Sequence, residues 1–303
     1  MKIITSGSKY IDIDAYASCI AYRELFKLKG IEAISVSTSK LNESITKQIL
    51  EFKQSLDSYQ ESEEQEFIIL DVSEEIYFDT IVKKEKIVEL IDHHPGFETV
   101  WKEKLGEKAQ IETIGAVATI ILEKYQEEHL LNKMEKEVAY MLMAAILDNT
   151  LNFKAKITSN RDIMAYQKLQ KIVSDNGRYC ERYFLECQEM IEHDLINSIQ
   201  NDTKVEIHHQ LLPNVIAQLT VWDKTNIMKQ LEIIYQVLDR YDKNWIMNLI
   251  CIKDAKSCII SKHEKVKMQM QKLMHHTFNG NIMELPEVWL RKELIKEAII
   301  NEK

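Results

Sequence analysis

A chain of 303 residues, 45% hydrophobic and 29% charged, has length for about two domains of the usual roughly 100–200 residues, each with its own core. Its 39 basic and 48 acidic side chains leave a net charge of −9. That field repels nucleic acid and excludes a groove for duplex DNA, so any phosphate-bearing ligand must be gathered by a local basic pocket or by metal ions. No apolar run approaches the ~20 residues that span a bilayer, and the N-terminus lacks the pattern of a secretory signal. The expectation is a cytoplasmic protein with no membrane partner. Five cysteines without a CxxC pair predict reduced, buried thiols rather than disulfides or a thiolate zinc site.

Lys2–Thr5 predicts a short strand, followed by the loop Ser6-Gly7-Ser8-Lys9 and a helix running to Leu28. Asp12 and Asp14 lie where that helix begins, and alone they read as an N-cap and a charge at the positive end of the helix dipole. Ile31–Val36 predicts a strand, Asn42–Phe52 a helix and Glu61–Glu66 a charged connector. Phe67-Ile68-Ile69-Leu70 is a buried-type strand ending at Asp71, and Ile87–Ile91 repeats it, ending in Asp92-His93-His94-Pro95-Gly96. Strand ends thus deliver carboxylates and imidazoles to the carboxyl edge of a sheet, where open α/β folds bind ligands.

Ile111–Thr113 predicts another short strand, and Ile114-Gly115 opens an apolar helix to Tyr125. Gly115 suits either close approach of a phosphate or plain packing. Val138–Leu147 predicts a helix closing in Asp148-Asn149-Thr150, and Ser159 caps a helix to Val173. The acidic, unpatterned stretch from about Cys187 to Asp202 reads as a linker. Beyond it come strands at Lys204–Ile207 and Val215–Trp222, a helix over Asn226–Tyr241, a hairpin of Trp245–Ile252 with Ser257–Ser261, and a terminal helix. His208-His209 and His275-His276 read as structural or solvated pairs.

Gly7-Ser8, Asp12-x-Asp14, Asp71, Asp92-His93-His94 and Ile146–Thr150, in that order, resemble the DHH phosphoesterase superfamily. Asp202-Thr203-Lys204, Ile216–Leu219 and Arg291-Lys292 narrow the likeness to the manganese-dependent (family II) inorganic pyrophosphatases and related exopolyphosphatases, whose second domain is of the DHHA2 type. The motifs are short, but their order over nearly the whole chain makes them specific. The resemblance implies an α/β fold: a doubly wound, mainly parallel N-terminal domain over residues 1–190, a linker over 191–202 and a smaller α+β domain with a mixed sheet over 203–303. It also implies an active site in the cleft between the domains, and a homodimer. The implied activity is hydrolysis of a small phosphoanhydride, pyrophosphate or short-chain polyphosphate, by metal-activated water, with one or two ions of Mn2+, or of Co2+ or Mg2+.

Residue by residue, the resemblance makes Asp71 the ligand shared between ions. Ser8 and Asp12 fall at the first ion's position, and Asp14, His93 and the Asp148-Asn149 pair at the second's. Asp92 would orient His93, His94 would face the substrate phosphate, and Lys204, Arg291 and Lys292 would clamp its oxygens. Two positions depart from the pattern. Ser8 stands where the pyrophosphatases carry a histidine, and Asn149 where they carry an aspartate, with Asp148 about 100° around the helix. These departures leave two further readings: a DHH phosphodiesterase for short oligonucleotides or cyclic dinucleotides, against which the C-terminal basic elements argue, and a non-catalytic phosphate- or nucleotide-binding protein.

Overall fold

The short apolar runs of the first third of the chain form five strands, β1 (Lys2–Thr5), β2 (Ala33–Ser35), β3 (Glu66–Leu70), β4 (Ile87–Asp92) and β5 (Ala109–Ile111), in a computed structural model that describes residues 1–205 and 210–301. All pair in parallel, in the order β2-β1-β3-β4-β5. Parallel strands need crossovers, and helices α1 (Ile13–Leu28), α2 (Lys47–Leu50) and α3 (Glu98–Leu105) lie in them. The strand order reverses between β1 and β3, the switch point at whose carboxyl edge such sheets bind ligands. A period of two sends Ile3, Phe67, Ile69 and Leu90 to one face, where they pack with Trp101 of α3. Ile4, Ile68, Leu70 and Ile91 point the other way and are equally buried. Helices α4 (Val117–Glu127), α5 (Lys136–Thr150) and α6 (Asn160–Val173) follow, α1 packing on α4 and α5.

The helix expected over residues 42–52 is only the short α2. Asn42 and Ser44 use their side chains on backbone instead: Asn42 Oδ1 accepts from Ser44 N at 3.0 Å, and Ser44 Oγ accepts from Ile13 N at 2.9 Å. Such local bonds compete with helix formation, and Thr46 then caps what remains.

The contacts divide the chain into two units, Met1–Cys180 and Glu181–Lys303. The second holds most of α7 (Tyr179–His193), then α8 (Leu195–Asn201), β6 (Thr203–Lys204), β7 (Val215–Val221), α9 (Thr225–Met228), α10 (Leu231–Leu238), β8 (Trp245–Cys251), β9 (Lys256–Ile260), α11 (Glu264–Met274), β10 (Ile282–Leu285) and α12 (Arg291–Asn301). Its sheet runs β10-β9-β8-β7-β6, with β7 and β8 parallel and the other pairs antiparallel. The stretch 191–202, expected as a linker, is helical here. Ile191, Leu195 and Ile199 recur every four residues and bury one stripe against β7 and β8, while Asp194 caps α8. The His208-His209 pair lies outside the described residues, and His275 is the exposed, left-handed C-cap of α11. Four of the five cysteines, Cys19, Cys187, Cys251 and Cys258, are buried. No helix among the described residues is long and apolar enough to cross a membrane.

Asp239 knits the second unit together, accepting from Trp245 Nε1 and His263 Nε2 at 2.8 Å and pairing with Lys262 at 2.6 Å. Burial pushes its pKa up, but Lys262, Trp245 and His263 outweigh burial and hold it at about 2. A carboxyl whose folded pKa lies below its unfolded value stabilises the fold above that unfolded value, near 3.8, and loses the contribution as pH falls to about 2. Asp239→Asn should therefore be less stable than wild type by about 1 kcal/mol at pH 6, with the gap closing between pH 4 and 2 in urea unfolding series.

Candidate metal centre

Asp71 directly follows β3 and sits in the left-handed region, φ 61°, a conformation that Asp tolerates better than most side chains. Its backbone N–H still donates to Ile91 O at 2.9 Å, so the kink occurs while the chain is held beside β4. There Asp71 Oδ1 lies 3.4 Å from His93 Nε2 and 4.0 Å from His94 Nδ1. Asp71, His93 and His94 form the group whose ligand-capable atoms all lie within 4.8 Å of one another.

The hydrogen bonds around this group select its proton positions. His93 is buried, and its Nδ1 lies 3.0 Å from Ile114 O, an acceptor, so Nδ1 carries the proton and donates. That leaves Nε2, which faces Asp71, as the ring nitrogen through which this histidine would bind a metal. Asp92 is buried at the base: its Oδ1 accepts from His93 N at 2.7 Å, His94 N at 3.2 Å and His94 Nδ1 at 2.8 Å. Burial raises its pKa, but the hydrogen bond and charge of His94 prevail and hold it below the usual carboxylate range. With Nδ1 so engaged, the half-exposed ring of His94 has Nε2 left for a ligand.

Asp12 and Asp14 begin α1, and both also serve the backbone. Asp12 is its N-cap, Oδ1 accepting from Ala15 N at 3.0 Å. Asp14 reaches α4 instead: Oδ2 accepts from Val117 N at 2.8 Å and Oδ1 from Ala118 N at 2.9 Å. Burial raises the pKa of Asp12, and burial together with the charge of Asp12 raises that of Asp14 well above the ordinary value. Neither carboxylate belongs to the tight Asp71 group, nor does Asp148, which is partly buried beside Asn149 at the end of α5. Ser8 is partly buried, and its N–H donates to Tyr77 O at 2.7 Å. In the second unit Lys204 is exposed and paired in register with Ile216, whose carbonyl accepts from Arg291 Nη1 at 3.4 Å; Lys292, also exposed, follows at the start of α12.

Gly115 proves to be a packing glycine. A Cβ there would sit 2.6 Å from Thr150 Cγ2 and 2.7 Å from Asp162 Oδ2. Asp162 is the residue that sequence reasoning missed. Fully buried, it closes a capping box with Ser159 and accepts from Gly115 N at 3.0 Å and Thr119 Oγ1 at 2.6 Å. It thereby pins the peptide after Ile114, the carbonyl that orients His93. The signal was present as Ser159-x-x-Asp162, a capping-box spacing.

A carboxylate and a histidine of fixed tautomer, backed by a hydrogen-bonded aspartate, form a donor set that suits a divalent first-row cation. The residues fit such an ion.

The model of the DHH family, N-terminal domain, matches residues 2–146. A Bacillus subtilis (strain 168) relative, named manganese-dependent inorganic pyrophosphatase, is 28% identical over 84% of this chain and 82% of its own length. A Bacillus pumilus relative, provisionally given the same name, is 32% identical, but the match spans 56% of this chain and only 55% of that protein. Among solved structures, a Methanococcus jannaschii protein provisionally assigned to the family II inorganic pyrophosphatases superposes with a TM-score of 0.67, at 19% identity, over 99% of this chain and 100% of its own. That likeness shows the fold, and the match to the DHH family, N-terminal domain, model spans residues 2–146, just under half of the chain.

Proposed function

We propose that this chain is a divalent-metal-dependent phosphohydrolase that cleaves the phosphoanhydride of a small substrate, pyrophosphate or short polyphosphate. The observation that carries the reading is the pairing of Asp71 with the Nε2 of a buried His93 whose Nδ1 is held by Ile114 O. Relatives named for manganese-dependent pyrophosphate hydrolysis support it. Asp71 and His93 would hold the ion, with Asp12 and Asp14 as the further candidate ligands, and Mn2+ suits these donors better than softer metals. Bound there, such an ion supplies an activated water and neutralises phosphate charge. Asp92 keeps His94 oriented, with its Nε2 turned to face a phosphate oxygen. Lys204, Arg291 and Lys292 are the second unit's candidate phosphate cations, Arg291 by paired N–H donors and the lysines as point charges.

A second reading, phosphate or nucleotide binding without turnover, is favoured by one observation: both oxygens of Asp14 already accept from α4, while Ser8 and Asn149 are neutral. Phosphate release from pyrophosphate, tripolyphosphate, long polyphosphate and a dinucleotide separates the readings, with protein stripped of metal and reloaded with Mn2+, Co2+ or Mg2+. Fastest release from pyrophosphate or tripolyphosphate is the expected result. Release from the dinucleotide alone would move the assignment to the phosphodiesterases, and tight binding with no release to a sensor.

A further inference from the structure

Every residue of β8 is buried, and all but one are apolar: Trp245, Ile246, Met247, Asn248, Leu249, Ile250, Cys251. An asparagine in the middle of such a strand is costly unless its amide has work to do. Asn248 Nδ2 donates to Trp289 O at 2.6 Å and to Gln218 Oε1 at 3.3 Å, while its Oδ1 finds no hydrogen-bond partner among the described residues. The amide therefore serves mainly as a donor, one bond reaching Trp289 just before α12 and the other reaching Gln218 on β7.

Gln218 is the register partner of Asn248 on β7 and grips the same segment. Its Oε1 accepts from Arg291 N at 2.7 Å. Its backbone N–H and Arg291 Nη1 both donate to Asp202 O, at 3.1 and 2.7 Å. Arg291 Nη2 also lies 2.7 Å from Asp202 Oδ1. Arg291 is thus fixed at its main chain by Gln218 and along one edge of its guanidinium by Asp202. A long, flexible side chain held at both ends has little rotamer freedom left to lose on binding an anion, which is how pre-organisation raises affinity.

We propose that Gln218, backed by Asn248, is the positioning residue for Arg291: the amide pair sets where the guanidinium stands, and so how tightly the chain holds a diphosphate. The proposal rests on the reading of Arg291 as a phosphate-binding cation. The test is calorimetric titration of the full-length, Mn2+-loaded protein with imidodiphosphate, a diphosphate that resists hydrolysis. Four proteins are compared: wild type, Arg291→Ala, Gln218→Leu and the double variant, with unfolding midpoints measured alongside. Gln218→Leu should weaken binding on the order of 10-fold, and the double variant should bind no worse than Arg291→Ala, because Gln218 acts only through Arg291. A general loss of structure would not produce that non-additivity. If Gln218→Leu does not fold, Gln218→Asn, which withdraws the acceptor by one carbon, carries the same cycle. Additive losses, or a Gln218 variant that binds as wild type while Arg291→Ala does not, overturn the positioning role alone. An Arg291→Ala variant that binds as wild type overturns the positioning role together with the phosphate-binding reading beneath it.

Discussion

His93→Phe is expected to weaken Mn2+ binding by more than the roughly 10–100-fold that loss of an outer hydrogen-bond partner of a metal-bound histidine costs, since it removes the ligand itself. The ring is buried and of similar size, so packing is largely retained. What goes is the Nε2 lone pair 3.4 Å from Asp71 Oδ1 and the donor to Ile114 O. The second loss leaves a buried carbonyl without its donor and should cost about 1–3 kcal/mol in unfolding free energy. Asp92→Asn is the companion variant. It keeps the shape beneath both histidines but removes the charge that accepts from His93 N and His94 Nδ1; because the ring it orients faces the phosphate and not the ion, Mn2+ affinity should fall less than in His93→Phe. Calorimetric titration of metal-stripped protein ranks the two. Equal, small losses would mean that the ion sits elsewhere.

Asp162→Ala is expected to destabilise the fold by about 3–4 kcal/mol, although the residue lies on neither β3 nor β4. Its carboxylate is fully buried and accepts from four donors: Gly115 N, Thr119 Oγ1, Ser159 N and Ser159 Oγ. Alanine leaves those groups facing one another across a cavity. Because Gly115 N is among them, the Ile114 carbonyl loses its anchor, and Mn2+ affinity should fall along with stability. Urea unfolding midpoints and metal titration on the same samples check both effects. A loss of stability below about 1 kcal/mol would show that α6 and the 114–115 peptide hold each other by packing alone.

The edge that carries the candidate site was legible because it is local. Phe67–Leu70 is a continuous apolar run and Ile87–Ile91 one broken only by Glu89; both end in polar residues, and a parallel sheet buried on both faces produces such runs. That pattern places Asp71 and the Asp92-His93-His94 triplet at strand ends, and β3 and β4 pair in register there. What could not be read was how shared groups are divided. Asp12 and Asp14 looked alike in sequence, yet one caps its own helix and the other reaches 103 residues along the chain to Val117 N. The stretch 191–202 hid its period because Glu192, His193 and Asp194, then Ile196, Asn197 and Ser198, separate Ile191, Leu195 and Ile199. Gln218 and Asn248 lie on different strands, and only the pairing of β7 with β8 brings their amides together.

Phosphate release from pyrophosphate, measured on Mn2+-loaded wild type and Asp71→Asn with metal content determined on the same samples, tests the central claim most directly. Asparagine tolerates the left-handed backbone at position 71 and matches the shape of aspartate, so the variant alters charge and little else. The account predicts turnover by wild type, and loss of both bound metal and turnover in the variant. Undiminished turnover in Asp71→Asn, or none in a fully loaded wild type, would contradict it.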